Sequence, residues 1–111
     1  MNVQTISIPN KKCDKPSSGL ACVTGASFGI GAEFARQLAA EGYSVILVAR
    51  REDRLVDLGQ ELASDFRVEC ECITADLSDL NECEQLVLYL KSKREMPLDI
   101  LINNAGFGAV G

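Results

Sequence analysis

From Gly19 onward, short apolar runs alternate with segments of helical period, and this alternation constrains the fold more than any other feature. Leu20-Ala21-Cys22-Val23-Thr24 is apolar and too short for a stable helix, which suits a strand buried on both faces. Ile30, Phe34 and Leu38 then recur at helical spacing. Gly31, Ala35 and Ala39 stand beside them as small residues that let a helix sit close to a sheet, and Gly42 ends the segment. Val45 to Ala49 is a second buried run. Leu55, Leu58 and Leu62 mark a second helix, with Glu52 and Asp53 in its first turn, where the helix dipole favours acids. Arg67 to Ile73 reads as a third strand. Ser78 is the expected cap of a third helix carrying Leu80, Cys83, Val87 and Leu90 on one stripe. Pro97 precedes a fourth strand, Asp99 to Ile102. Strict alternation with short connections predicts an α/β fold, a doubly wound parallel sheet with right-handed crossovers and helices on both faces.

Residues 1–18 break this rhythm. They are polar, contain two prolines and read as a flexible leader. Val3 to Ile8 alternates as a strand would, but Pro9 follows and no partner is evident. With 111 residues there is room for one domain, here residues 19–111. The formal charge of −5 and the absence of Trp argue against a nucleic-acid partner. No apolar run approaches the ~20 residues a bilayer requires, and the first residues lack the apolar core of a signal peptide. The cysteines, Cys13, Cys22, Cys70, Cys72 and Cys83, form no C-x-x-C pair, and the chain has no His, so a metal site is not expected. An odd, scattered set reads as reduced thiols packed as small hydrophobes, which fits a cytoplasmic location. Cys70 and Cys72 alternate with Glu69 and Glu71 and share one face of a strand.

Between the first strand and the first helix stands Thr24-Gly25-Ala26-Ser27-Phe28-Gly29-Ile30-Gly31. A pyrophosphate brings charge close to the backbone, so the chain must present amide N–H groups with no Cβ in the way. Glycine supplies the permissive dihedrals. The spacing, Gly-x-x-x-Gly-x-Gly, differs from the Gly-x-Gly-x-x-Gly of the long Rossmann fingerprint, but its place between strand and helix is the same. The turn therefore points to a dinucleotide, with a Gly-rich lead-in to a helix as the bland alternative. At the end of the second strand an acid would bind the free ribose 2′-hydroxyl of NAD, whereas an arginine accommodates the 2′-phosphate of NADP. Here Ala49 is followed by Arg50 and Arg51, which favours NADP over NAD. The competing use of these arginines is pairing with Glu52, Asp53 or other surface acids, more readily for Arg51 than for Arg50.

These landmarks, with Asp76-Leu77 after the third strand and Asn103-Asn104-Ala105-Gly106 after the fourth, resemble the short-chain dehydrogenase/reductase superfamily. Thr24 to Gly31 matches its TGxxxGxG turn and Asn103 to Gly106 its NNAG segment, in the same order, over residues 19–111. The resemblance implies a Rossmann-type doubly wound parallel sheet, truncated after the fourth strand. It implies that Gly25, Ser27, Gly29, Ile30 and Gly31 line the pyrophosphate and nicotinamide-side ribose. Arg50 would contact the 2′-phosphate, with Arg51 as a second contact. Asp76 would accept from the adenine amino group while the Leu77 backbone faces the ring. Asn103, Ala105 and Gly106 would sit beside the adenosine ribose and brace the sheet. The plainer role for Asp76 is a turn or capping acid, and for Asn103 sheet bracing alone.

The family's catalytic Asn, Ser and Tyr-x-x-x-Lys lie beyond the NNAG segment and have no counterpart here. Tyr89 and Lys93 have the bare spacing but fall before the fourth strand, and Tyr43 is followed at that spacing by Leu47. The expectation is therefore an NADP-dependent short-chain oxidoreductase acting on carbonyl or alcohol groups. It is present as a fragment without its catalytic segment, and homo-oligomers would form only through the missing half. The alternative is a non-catalytic dinucleotide-binding or interaction protein that uses the open edge of the fourth strand.

Overall fold

In the computed structural model, which describes residues 4–8, 18–26, 29–92 and 97–103, the apolar runs pair into one sheet. Its strands are β1 (Gln4–Ile8), β2 (Leu20–Thr24), β3 (Ser44–Ala49), β4 (Cys70–Thr74) and β5 (Leu98–Ile102). Their order across the sheet is β1-β4-β3-β2-β5. Helices α1 (Gly29–Ala40), α2 (Glu52–Phe66) and α3 (Leu80–Lys91) connect β2 to β3, β3 to β4 and β4 to β5. The β2/β3, β3/β4 and β2/β5 pairs are parallel. Every residue of the central strands β2 and β3 is buried, as their unbroken apolar sequence requires.

Strand alternation divides the core into two layers. Val23, Val45, Leu47, Ala49, Cys70 and Cys72 face α1 and α2. Leu20, Cys22, Ile46, Val48 and Ile73 face α3, with Leu86 from that helix. The parallel α/β expectation therefore holds, with helices on both faces.

Five local expectations need correction. Gln4–Ile8, read as part of a flexible leader without a partner, forms β1 and pairs antiparallel with β4 from Gln4↔Thr74 to Ile8↔Cys70. Ile6 and Ile8 pack on the α2 layer, so this strand covers the sheet edge and makes the sheet mixed. Gly59 admits the contact: a Cβ there would meet Ile8 Cδ1 at 2.7 Å and Cys72 Sγ at 2.8 Å. The third strand starts at Cys70 rather than Arg67, because Arg67 ends α2 in the left-handed region with φ 56°.

The remaining corrections concern helix faces. On α1 the small residues Gly31, Ala35 and Ala39 are buried as expected, together with Ala32, but Ile30 and Phe34 of the apolar stripe are exposed. On α3 the cap is Asp79 rather than Ser78, and its side chain accepts from the Asn81 and Glu82 amides. The inward residues of α3 are Glu82 and Leu86 with half-buried Tyr89 and Leu90, whereas Leu80 and Val87 point outward. Among the described residues no helix is long and apolar enough to cross a membrane.

Candidate functional site

In a parallel sheet the carboxyl ends of the strands lie along one rim, and helix N-termini rise from it. The register places them in a row here: Thr24 opposite Val48, Ala49 opposite Thr74 and Val23 opposite Ile102. The residues that leave the sheet at this rim are Gly25 from β2, Arg50 from β3, Ala75 and Asp76 from β4, and Asn103 from β5. Two backbone bonds tie the exits together, Ala26 N–H to Val48 O at 3.1 Å and Ala75 N–H to Ala49 O at 2.9 Å. Residues far apart in sequence thus meet along one rim.

Gly25 and Gly29 adopt φ of 64° and 66°, the left-handed region where a side chain is strained. This backbone requirement carries their identity, since nothing lies within 4 Å of a Cβ built on Gly29. Helix α1 starts at Gly29 and has no acid in its first turn, whereas α2 has Glu52 and Asp53 and α3 has Glu82. The positive end of the α1 dipole thus has no acid in its own first turn, and Gly29, Ile30 and Gly31 supply its first amides. Ile30 is exposed and Gly31 is buried.

Arg50 is exposed at the end of β3 and makes no ion pair among the described residues. Arg51, also exposed, lies 3.4 Å from Asp53 Oδ2, which is the surface pairing open to it from the sequence. Asp76 Oδ1 accepts both the Ser78 hydroxyl at 2.6 Å and the Ser78 amide at 3.0 Å. These bonds, and then the nearby Arg50 charge, hold the Asp76 carboxyl below the usual carboxylate range. Leu77 packs on the α3 layer, and its carbonyl accepts from Cys83 Sγ at 3.0 Å.

At the other end of the row the buried Thr24 hydroxyl reaches Ile102 O at 3.3 Å and Asn103 Oδ1 at 3.2 Å. It ties the glycine turn to the β5 exit. The structure therefore brings Gly25, Gly29, Ile30, Gly31, Arg50, Asp76, Leu77 and Asn103 to one rim, with Arg51 beside it. Ser27, Ala105 and Gly106 lie outside the described residues. Thr24 and Glu82, which hold the rim in place, were not assigned a role from the sequence. The Asp79-x-x-Glu82 spacing of a capping box was the available signal for the second.

A cavity of about 400 Å³ flanks the rim between α1 and α2 and, among the described residues, meets it at Gly29. Arg36 and Glu61 line it and form an ion pair of 2.7 Å. No cluster suited to a metal ion occurs among the described residues. Burial pushes the Cys22 and Cys70 thiols up to about 12 and that of Cys72 up to about 11, so they stay protonated and inert.

A crossover sheet whose strand ends carry a glycine turn, a helix N-terminus and an arginine defines a Rossmann-type α/β unit. The family of the short chain dehydrogenases matches residues 19–111, and the chain belongs to that family. It is 38% identical over 96 residues to the very-long-chain 3-oxoacyl-CoA reductase of Kluyveromyces lactis, covering 86% of this chain and 28% of that protein. Among solved structures, it resembles the short-chain dehydrogenase from Sphingobium yanoikuyae in complex with NADPH, with TM-score 0.74 and 36% identity over 79% of this chain and 34% of that one. It also resembles the L-sorbose reductase from Gluconobacter frateurii complexed with NADPH and L-sorbose, with TM-score 0.75 and 35% identity, covering 84% and 35% of the two chains. The chain thus spans about a third or less of the relatives it matches.

Proposed function

We propose that this chain is the cofactor-binding part of an NADP-dependent oxidoreductase that acts on carbonyl or alcohol groups. The observation that carries the reading is the single row of strand exits, with left-handed glycines and an acid-free helix N-terminus beside Arg50. NADPH bound in the family supplies a hydride. The residues of this chain would bind and orient its adenosine and pyrophosphate portions: the amides of Gly29 to Gly31 facing the pyrophosphate, Arg50 the 2′-phosphate, and Asp76 the adenine amino group. Arg51, held near Asp53, is the weaker candidate for a second phosphate contact. The NADPH in the names of two structural neighbours supports the choice of NADP over NAD. The name of the Kluyveromyces relative supports a thioester-linked 3-ketone as the type of carbonyl reduced.

No residue of this chain is assigned a catalytic role. Tyr89, the one tyrosine with a lysine at family spacing, lies on α3 and donates its hydroxyl to Glu71, away from the rim. Protonated, buried thiols fit a reducing, cytoplasmic compartment. The test is a titration of the chain with NADPH and NADH followed by nucleotide fluorescence, with carbonyl reduction monitored in parallel. The reading expects NADPH to bind more tightly than NADH and no turnover by this chain alone. Equal binding overturns the NADP assignment, and turnover places catalytic groups inside the chain.

A further inference from the structure

We propose that Glu82 is a positioning residue for the adenine end of the site, holding the turn that presents Asp76 and Leu77. This rests on the reading of Asp76 as the adenine contact. Glu82 stands in the first turn of α3, yet it is only 2% exposed. A carboxylate so buried is costly unless its oxygens are bonded. Glu82 Oε1 accepts the Asp76 N–H at 3.0 Å. An acid at this helical position ordinarily folds back on the amide of the capping residue itself. Here the Asp79 amide is already bonded to Asp76 O at 3.0 Å. The helix is capped without Glu82, since Asp79 Oδ1 accepts from the Asn81 and Glu82 amides at 2.9 and 3.4 Å. The Glu82 carboxylate therefore serves the β4–α3 turn rather than the helix end.

The rest of the turn is fastened in the same way. Ser78 bonds Asp76 Oδ1 through both its amide and its hydroxyl, and Cys83 Sγ donates to Leu77 O. Asp76 Oδ2 takes no hydrogen bond among the described residues, which leaves it as the acceptor for a ligand donor. Adenine presents an amino group to such an acceptor, and hypoxanthine presents a carbonyl oxygen that a carboxylate repels. With its amide released, Asp76 would lose the fixed geometry that makes this distinction. Glu82 thus acts on base selectivity through Asp76 without touching the base.

The test compares the affinity of the whole chain for NADPH and for reduced nicotinamide hypoxanthine dinucleotide phosphate. Wild type is expected to prefer adenine on the order of tenfold, the scale of one hydrogen bond to a charged group. Glu82→Gln keeps an acceptor oxygen and retains the preference. Glu82→Leu has similar bulk and no acceptor, and the preference falls to about threefold or less while affinity for the hypoxanthine analogue is kept. A general loss of structure would lower both affinities together and leave their ratio unchanged. An unchanged ratio in a folded Glu82→Leu chain therefore overturns the role of Glu82. Where Glu82→Leu does not fold, Glu82→Gln carries the test, and loss of the preference in that variant overturns the proposal. A wild-type chain without adenine preference overturns the Asp76 reading itself, and this inference with it.

Discussion

Replacing Arg50 with Ala removes, among the described residues, a rim cation that makes no ion pair. Arg50 is exposed, so the substitution opens no cavity and strands no buried acid. Stability should change by no more than about 0.5 kcal/mol. The ligand effect is larger, because a guanidinium facing a dianionic phosphate makes charge-assisted hydrogen bonds of roughly 1.5–3 kcal/mol. Solvent exposure favours the lower half of that range, so NADPH affinity should fall about 10- to 50-fold. NADH has no 2′-phosphate and should lose little. A second effect follows from the sheet order: Asp76 loses the smallest of the influences that lower its pKa, while both Ser78 bonds remain. Its carboxyl should titrate slightly higher but still below the ordinary value. The assay is fluorescence titration with both nucleotides, repeated at higher salt, where screening should shrink the NADPH difference. Equal weakening of both nucleotides would refute the placement of Arg50 at the 2′-phosphate.

Three further outcomes test the frame around the site. Thr24→Val keeps the shape but deletes the hydroxyl between β2 and β5, and should cost about 1–2 kcal/mol in denaturant unfolding; an unchanged midpoint would show that this tie is idle. Gly59→Ala should destabilise by about 1 kcal/mol, overpacking against Ile8 and Cys72 outweighing the gain in helix propensity. Combined with Cys72→Ala the penalty should shrink, and additive effects would contradict the contact. Burial raises the Cys22, Cys70 and Cys72 thiols above their ordinary 9.0, so their contribution is complete below that pH and is lost as pH rises toward 11–12. Native chain should resist thiol reagents near pH 8 at these cysteines, and rapid labelling without unfolding would contradict their burial.

What the sequence reveals follows from the range of the interactions involved. β2 and β3 were legible because burial on both faces leaves an unbroken apolar run, the three helices because they leave a period, and β5 from its apolar residues after Pro97, although none of them is fully buried. The inward face of α1 was legible in part: Gly31, Ala35 and Ala39 were read as the small residues that let it sit close to the sheet and are buried, whereas the Ile30 and Phe34 stripe beside them is exposed. The true wall of α3 includes Glu82, a charged residue that no hydrophobic count places inside. β1 escaped because its partner, β4, is distant in sequence and runs antiparallel. At the rim, Gly25, Gly29, Arg50, Asp76 and Asn103 could be located because each opens a regular element or follows one within two residues. The ties from Thr24 to Asn103 and from Glu82 to Asp76 depend on how those elements meet.

The central claim is that the strand exits, and not the neighbouring cavity, hold the nucleotide. Amide chemical-shift mapping by NMR during NADPH addition tests it most directly. The account predicts that the amides of Gly25, Gly29, Ile30, Gly31, Arg50 and Asp76 shift together, while those of Leu88 on the outer face of α3 stay still. Shifts concentrated at Arg36, Asp57 and Glu61 between α1 and α2, with the rim unmoved, would contradict it.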